Sequence, residues 1–323
     1  MSDLKDKSVL VIGGAGFIGS YITEQLLKEE VRQVRIFDNF SRGRRNNIEE
    51  ALKDSRCNVF ELGGDITKVD VLDKAMEGVD KVVHLAALWL LHCKDFPRSA
   101  FEVNIKGTFN VLEACVKNGV EKLVYTSSAS VYGDALTVPM TEDHPFNNNN
   151  FYGTTKICGE SMCRAFNGRY GLDFVGIRPF NVFGPRQDEK AAYTGVIPTM
   201  LRNIDAGNAP IVNGDGSQAY DFTFVEDVAR AHVLALKTDS SNEFYNACAG
   251  VQTSIRDLCG LVLRLTGSDL EVQYRPYGYD DARALIRNRV GSTEKAERDL
   301  GFRTNFSLEE GLKKLIDWRK TNS

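Results

Sequence analysis

The sequence is poor in the features that mark whole classes of protein. Its four histidines, at 84, 92, 144 and 232, show no metal-ligand spacing. Its seven cysteines, at 57, 93, 115, 158, 163, 248 and 259, are scattered and odd in number, with no Cys-x-x-Cys pair. The pattern argues against a zinc or disulfide framework and predicts reduced, mostly buried thiols in the cytoplasm. No apolar run approaches the roughly 20 residues a bilayer requires; the longest, Val82 to Leu91, is interrupted by His84. The first residues, Met1-Ser2-Asp3-Leu4-Lys5-Asp6-Lys7, lack the apolar core of a signal peptide. An excess of one charge is missing too: 40 basic and 44 acidic residues are interspersed, giving a net charge of −4. That balance speaks against nucleic acid or an anionic membrane as the main partner. There is no internal repeat and no long low-complexity segment.

What remains is an ordinary globular composition, 42% hydrophobic and 26% charged over 323 residues, enough for one or two closely joined domains. Ser8-Val9-Leu10-Val11-Ile12 is wholly apolar, as a parallel strand buried on both faces requires. Gly13-Gly14-Ala15-Gly16-Phe17-Ile18-Gly19 follows, and Phe17, Ile18, Tyr21, Ile22 and Leu26 then recur at helical spacing. Glycines at 13, 16 and 19 in a strand–turn–helix context allow a tight turn and close approach to a pyrophosphate at a helix N-terminus. Val34-Arg35-Ile36-Phe37 reads as the second strand, ending in Asp38-Asn39. Asp38 stands about 20 residues past the glycines, where a carboxylate accepts hydrogen bonds from a ribose and repels a 2′-phosphate. NAD is therefore favoured over NADP. Arg42, Arg44 and Arg45 read as a solvated loop.

Further strands are expected at Val59–Leu62, Val82–Ala87, Lys122–Thr126, Asp173–Arg178 and Phe244–Asn246, with a helix from Val225 to Lys237. Asn104 falls in an amphipathic helix. The alternation indicates an α/β fold with a doubly wound parallel sheet. Ser127-Ser128-Ala129-Ser130 places hydroxyls at a strand's carboxyl end, where ligands bind in open α/β sheets. Tyr152 and Lys156 then stand four residues apart, stacked on one helix face. A free tyrosine is a poor base near neutrality, its pKa being about 10, and an ammonium nearby stabilises its phenolate.

Taken together, these motifs resemble the extended short-chain dehydrogenase/reductase family, specifically its NAD-dependent nucleotide-sugar epimerases and dehydratases. The resemblance rests on Gly13–Gly19, Asp65-Ile66, His84-Leu85-Ala86-Ala87, Asn104 with Gly107-Thr108, Ser127–Gly133, Tyr152/Lys156 and Arg178–Arg186, and covers nearly the whole chain. It implies a Rossmann-type domain from residues 1–178 with 223–247, and a nucleotide-sugar lobe from 179–222 with 248–323. It implies catalysis by Ser128, Tyr152 and Lys156. The implied NAD site comprises Gly13, Gly16, Phe17, Ile18, Gly19, Asp38, Asn39, Asp65, Ile66, Leu85, Ala86, Ala87, Asn104, Tyr152 and Lys156. The implied substrate site comprises Ser128, Tyr152, Asn181, Val196, Ile211, Asn213, Arg283 and Arg287, and no metal. Many relatives carry arginine before the pair that here is Asp221-Phe222, where this chain has Tyr220. Arg283, Arg287 or Arg289 would then grip the diphosphate beside Asn181, or meet a carboxylate on the sugar.

Within that family, dehydratases carry an acidic pair, and decarboxylases a glutamate, where this chain has only the hydroxyls of Ser127 and Ser128. The resemblance therefore implies a UDP-sugar 4-epimerase working through a transient 4-keto sugar, acting on a UDP-hexose, a UDP-hexuronate or a UDP-N-acetylhexosamine. Alternatives are a 4-ketoreductase, a 4,6-dehydratase, or a dinucleotide-sensing binding protein without catalysis. A homodimer pairing through about 99–117 and 152–168 is also implied, with Phe101, Ile105, Phe109, Leu112 and Cys115 as its apolar surface.

Overall fold

The computed structural model describes residues 3–188, 195–277 and 287–322. Six strands come first: β1 (Ser8–Ile12), β2 (Gln33–Phe37), β3 (Cys57–Val59), β4 (Lys81–His84), β5 (Lys122–Thr126) and β6 (Phe174–Pro179). Short strands follow: β7 (Val182–Phe183), β8 (Ile211–Asn213), β9 (Ala219–Tyr220) and β10 (Thr223–Phe224). The chain then returns as β11 (Glu243–Ala247) before β12 (Thr253–Ser254), β13 (Gln273–Arg275) and β14 (Asn288–Arg289). The main sheet has the order β11-β6-β5-β4-β1-β2-β3, and every pair in it is parallel.

Apolar residues dictate this arrangement. All five side chains of β1 are buried: Val9 and Val11 face one core with Ile22 and Leu26, while Leu10 and Ile12 face another with Leu72 and Cys115. Helices therefore cover both faces. On the first lie α1 (Phe17–Leu26) and the helix Val225–Lys237, which pack together. On the second lie the helices Val69–Met76, Thr108–Lys117 and Phe151–Tyr170. Among the described residues no helix is long and apolar enough to cross a membrane.

The third strand lies earlier than the sequence suggests, at Cys57–Val59 rather than Val59–Leu62. After Phe60 donates to the Ile36 carbonyl (2.9 Å) the chain leaves β2, and Leu62 ends up exposed. Asn104 also differs from its expected setting, since Phe101–Gly107 is a π-helical turn leading into the helix Thr108–Lys117. Such a turn widens the helix and redirects a side chain.

The helix Phe151–Tyr170 begins where the Asn150 carboxamide accepts from the Gly153 N–H (2.8 Å) and ends at Gly171, in the left-handed region. Gly159 is what lets it sit against β5. A Cβ there would lie 2.0 Å from the Tyr125 hydroxyl, and Tyr125 is fully buried. Gly159→Ala is expected to destabilise the protein by about 1–3 kcal/mol through this overpacking. Urea unfolding measures it; an unchanged midpoint would mean that helix and strand have room to separate.

Candidate functional site

The order of the sheet reverses between β1 and β4, and a cleft of about 670 Å³ opens there at the carboxyl ends of the strands. One end is made by the glycine turn. Gly13 has a φ of +85°, and a Cβ on Gly19 would lie 2.1 Å from the Gly13 carbonyl oxygen. Only hydrogen fits, so bare backbone and the N-terminus of α1 face the cleft, a cradle suited to a pyrophosphate. Asp38 closes this end. Its carboxylate accepts from the N–H groups of Ala15 (2.9 Å) and Phe40 (2.8 Å). Burial pushes its pKa up, against the pull of these N–H groups.

Arg42 and Arg44 lie on an exposed loop, as the sequence suggests, and also make specific contacts there. The Arg42 guanidinium lies 3.9 Å over the Trp89 ring and 3.6 Å from the Asp188 carboxylate, which also takes Arg44 at 2.9 Å. Arg45 stacks over Phe40 at 5.3 Å. The loop after β2 is thereby tied to the segment after β4 and to residue 188.

The other end is built by β5 and the helix Phe151–Tyr170. β5 delivers Ser127 and Ser128, and the helix delivers Tyr152 and Lys156 to the same cleft. Ser128 Oγ accepts from the Ser130 N–H (3.1 Å). Burial pushes the Tyr152 phenol up to about 12, while Ser128 and the positive charge of Arg289 pull it down. Lys156 lies beside the phenol. Its ammonium donates to the Thr126 carbonyl (2.7 Å) and lies 5.8 Å from the centre of the Tyr152 ring. Burial pushes Lys156 down to about 8.

A buried polar network fixes this end. Glu160, one further turn along the helix from Lys156, accepts from Ser127 Oγ (2.5 Å) and pairs with Arg178 through both Nε (2.8 Å) and Nη2 (2.7 Å). Arg178 Nη1 donates to the Tyr132 hydroxyl (2.7 Å) and the Glu142 carbonyl (2.9 Å). Tyr132 in turn donates to Asn246 Oδ1 (2.7 Å) on β11.

Most of the residues read from the sequence meet here. Gly13, Gly16, Phe17, Ile18, Gly19, Asp38, Asn39, Asp65, Ile66, Leu85, Ala86, Ala87, Ser128, Tyr152, Lys156 and Asn181 all line the cleft. Others do not. Asn104 is buried behind it, accepting from the Leu88 N–H (2.7 Å) and donating to the Leu88 carbonyl (3.0 Å) and to Thr155 Oγ1 (3.1 Å). It braces the wall rather than facing a ligand. Val196, Ile211 and Asn213 lie off the cleft, the last two exposed on β8 where it pairs with β13. Arg287 is exposed, its backbone N–H held by Asp134 (2.8 Å), and Arg283 lies outside the described residues.

Of the described arginines in the 283–289 group, the one that borders the cleft is Arg289. β14 runs parallel to β9 in the register Arg289↔Tyr220. The Asn181 carboxamide, at a backbone φ of +26°, donates to the Asp221 carbonyl (2.8 Å), and Asp221 N–H donates to the Arg289 carbonyl (2.9 Å). The Tyr220 anomaly was the sequence signal that led toward this strand. Nothing local in the sequence separated Arg289 from its neighbours.

Residues 9–248 match the NAD dependent epimerase/dehydratase family. The chain is 33% identical over 319 residues to the putative UDP-glucose 4-epimerase of Methanocaldococcus jannaschii, covering 98% of this chain and 99% of that one. Among solved structures it is similar to the UDP-N-acetylglucosamine 4-epimerase of Methanobrevibacter ruminantium in complex with UDP-N-acetylmuramic acid. That likeness has a TM-score of 0.91 and 31% identity, over 99% of this chain and 100% of that one. It is also similar to the UDP-glucose 4-epimerase of Thermotoga maritima with UDP-glucose, with a TM-score of 0.89 and 31% identity, over 98% and 100% of the two chains.

The lowered Lys156 gives a testable sign. Between about pH 8 and the ordinary lysine value of 10.5 the unfolded chain holds more protons than the folded one, so this group makes stability rise with pH across that window. At neutral pH the buried charge costs about 3 kcal/mol, at about 1.4 kcal/mol per pKa unit. Lys156→Met is expected to unfold at higher denaturant than the parent at pH 7, with the gap closing toward pH 10.5. A gap that widens with pH would show that the ammonium is stabilised where it lies.

Proposed function

The chain belongs to the NAD dependent epimerase/dehydratase family, and from that premise we propose that it is a UDP-sugar 4-epimerase with NAD held in the glycine-turn half of the cleft. The observation that carries this reading is the chemistry around Tyr152. Ser127, Ser128 and Ser130 bring hydroxyls to that end of the cleft, whereas the carboxylates lining it are Asp38, Asp65 and Asp188. Asp38 is held at the glycine turn, and Asp188 by Arg42 and Arg44. Glu160 is turned to Ser127 and occupied by Arg178. Eliminating water from the sugar needs an additional acid and base; reversible oxidation at one carbon does not.

NAD, when bound, supplies a hydride acceptor at C4 and returns the hydride. The protein does the rest. Tyr152 takes the proton of the C4 hydroxyl and later gives it back, with Ser128 bonded to the same oxygen. Lys156 holds ribose hydroxyls and keeps positive charge beside the phenol. Asn181 serves the diphosphate, so that the sugar itself is held loosely enough to present its other face. In this reading residues 1–178 with 223–247 bind the dinucleotide, and 179–222 with 248–323 bind the nucleotide sugar.

We also read the protein as a homodimer. Phe101 and Phe109 are exposed, and Phe109 packs edge-on against Phe166 of the neighbouring helix at 5.5 Å. Leu112 and Cys115, included in the expected interface, are instead fully buried in the monomer's own core. Sedimentation at micromolar concentration is expected to give a dimer that Phe109→Glu splits. A monomeric parent rejects it.

Incubating the NAD-loaded protein with UDP-sugars, without added NADH, is expected to yield a mixture of C4 epimers. Product formed only with stoichiometric loss of NADH would make it a reductase, and an accumulating 4-keto-6-deoxy sugar a dehydratase. Tyr152→Phe is expected to slow turnover about 10²–10⁴-fold while NAD binding persists; near-parental rates would remove Tyr152 from its role.

A further inference from the structure

Arg289 has no counterpart in the chemistry just described. Its guanidinium borders the cleft, and its Nε and Nη2 are shielded from water with no hydrogen-bond partner among the described residues. A buried charge without a partner is strongly unfavourable, so a cation is retained here at a cost that some function has to offset. Among the described residues the surroundings offset it only in part, through the charge of Asp134 and the Tyr220 phenol. Its strand neighbour is the phenol Tyr220, and the nearby Asp134 carboxylate is engaged by the backbone N–H groups of Arg287 (2.8 Å) and Asn288 (3.2 Å). Burial accordingly pushes the Arg289 guanidinium down to about 10.

The geometry of the bare edge says what would satisfy it. Nε–H and Nη2–H share one side of the guanidinium plane and form the fork that takes a carboxylate through two parallel hydrogen bonds. The same chain uses that edge in this way at Arg178, whose Nε and Nη2 hold the two oxygens of Glu160. Location then separates the two anions a UDP-sugar can offer. Arg289 lines the cleft together with Ser128 and Tyr152, and its positive charge acts on the Tyr152 phenol, which under the proposed function meets the C4 oxygen. C4 lies across the pyranose ring from C1, where the diphosphate is attached. An anion reached from the Tyr152 side is therefore a substituent next to C4, on C5 or on O3.

We propose that Arg289 is a specificity-determining residue that recognises a carboxylate carried by the sugar beside C4, so that the preferred substrates are acidic UDP-sugars rather than neutral ones. This rests on the 4-epimerase reading for the identity of C4, but the binding of the acid can be measured without turnover. UDP-glucuronate carries the carboxylate on C5 and UDP-N-acetylmuramate carries it through O3, so the two together distinguish the sources.

The experiment is calorimetry and epimer analysis on the NAD-loaded full chain with UDP, UDP-glucose, UDP-glucuronate and UDP-N-acetylmuramate, for the parent, Arg289→Met and Arg289→Lys. At least one acidic sugar is expected to bind tighter than UDP-glucose and to be epimerised faster. Arg289→Met is expected to weaken that acid by about 100-fold, as loss of one partner of a buried charge pair does, while UDP changes by less than about threefold. Arg289→Lys keeps the charge without the fork, so an intermediate loss is expected. If UDP is weakened as much as the acid, the guanidinium serves the diphosphate and the proposal is overturned. It is equally overturned if UDP-glucose is bound and converted better than both acids. If no sugar nucleotide yields a C4 epimer, the epimerase reading falls, while the difference in affinity between acid and UDP still decides the role of Arg289.

Discussion

The site depends on one buried ion pair. Glu160 and Arg178, each 4% exposed, are locked edge to edge between the helix Phe151–Tyr170 and β6. Burial works to lower the arginine's pKa, but the Glu160 carboxylate and the Tyr132 hydroxyl raise it well above its usual value, so the guanidinium stays charged. Such a pair contributes little net stability over an apolar replacement, yet removing one partner is costly, typically about 3–5 kcal/mol. Its worth here is rotational. Tyr152, Lys156 and Glu160 follow one another at intervals of four, so fixing Glu160 against β6 fixes which way the other two point. The carboxylate also holds Ser127, next to Ser128, and Arg178 passes the constraint through Tyr132 to Asn246 at the sheet's edge. One network thus sets the helix, the hydroxyl-bearing turn and the last strand relative to one another.

Burial acts on the reacting groups in opposite senses. It holds the Tyr152 phenol protonated and makes the Lys156 ammonium easier to deprotonate, so each is displaced away from its charged form. Positive charge in the cleft works against the first effect, and Arg289 supplies some of it. The carbonyl of Thr126 secures the second by accepting from the ammonium. Asn104 braces this end of the cleft by tying residue 88 to Thr155.

How far the sequence reveals this follows from the distance over which each signal acts. The glycine turn, Asp38 and the Tyr152/Lys156 spacing are local: strand, turn and helix place them whatever the rest of the chain does, and they meet in the cleft. Glu160 was within reach of the same reasoning, being four residues beyond Lys156 on the same face, but its partner lies on another element. Arg42 reads as a loop residue and is one, but its contacts show only when Trp89 and Asp188 are brought to it. Arg289 depends on the pairing of two-residue strands, whose register no hydrophobic pattern specifies, because neither is long enough to have one. Asn104 shows the reverse error. A polar residue in a recognisable segment suggests ligand contact, whereas the π-helical turn directs it into the wall.

The order of the main sheet has a consequence for how the chain is made. β6 is a fully buried strand, and its outer neighbour β11 arrives only after β7 to β10 and two helices, Val196–Asp205 and Val225–Lys237, have been threaded between them. Parallel pairing between segments so far apart in sequence forms slowly, and an apolar strand with an unpaired edge invites association with other chains. During synthesis, that edge stays open from the emergence of Pro179 until Glu243–Ala247 follows. The segment between β6 and β11 is therefore also the delay during which the nascent chain is most exposed to aggregation.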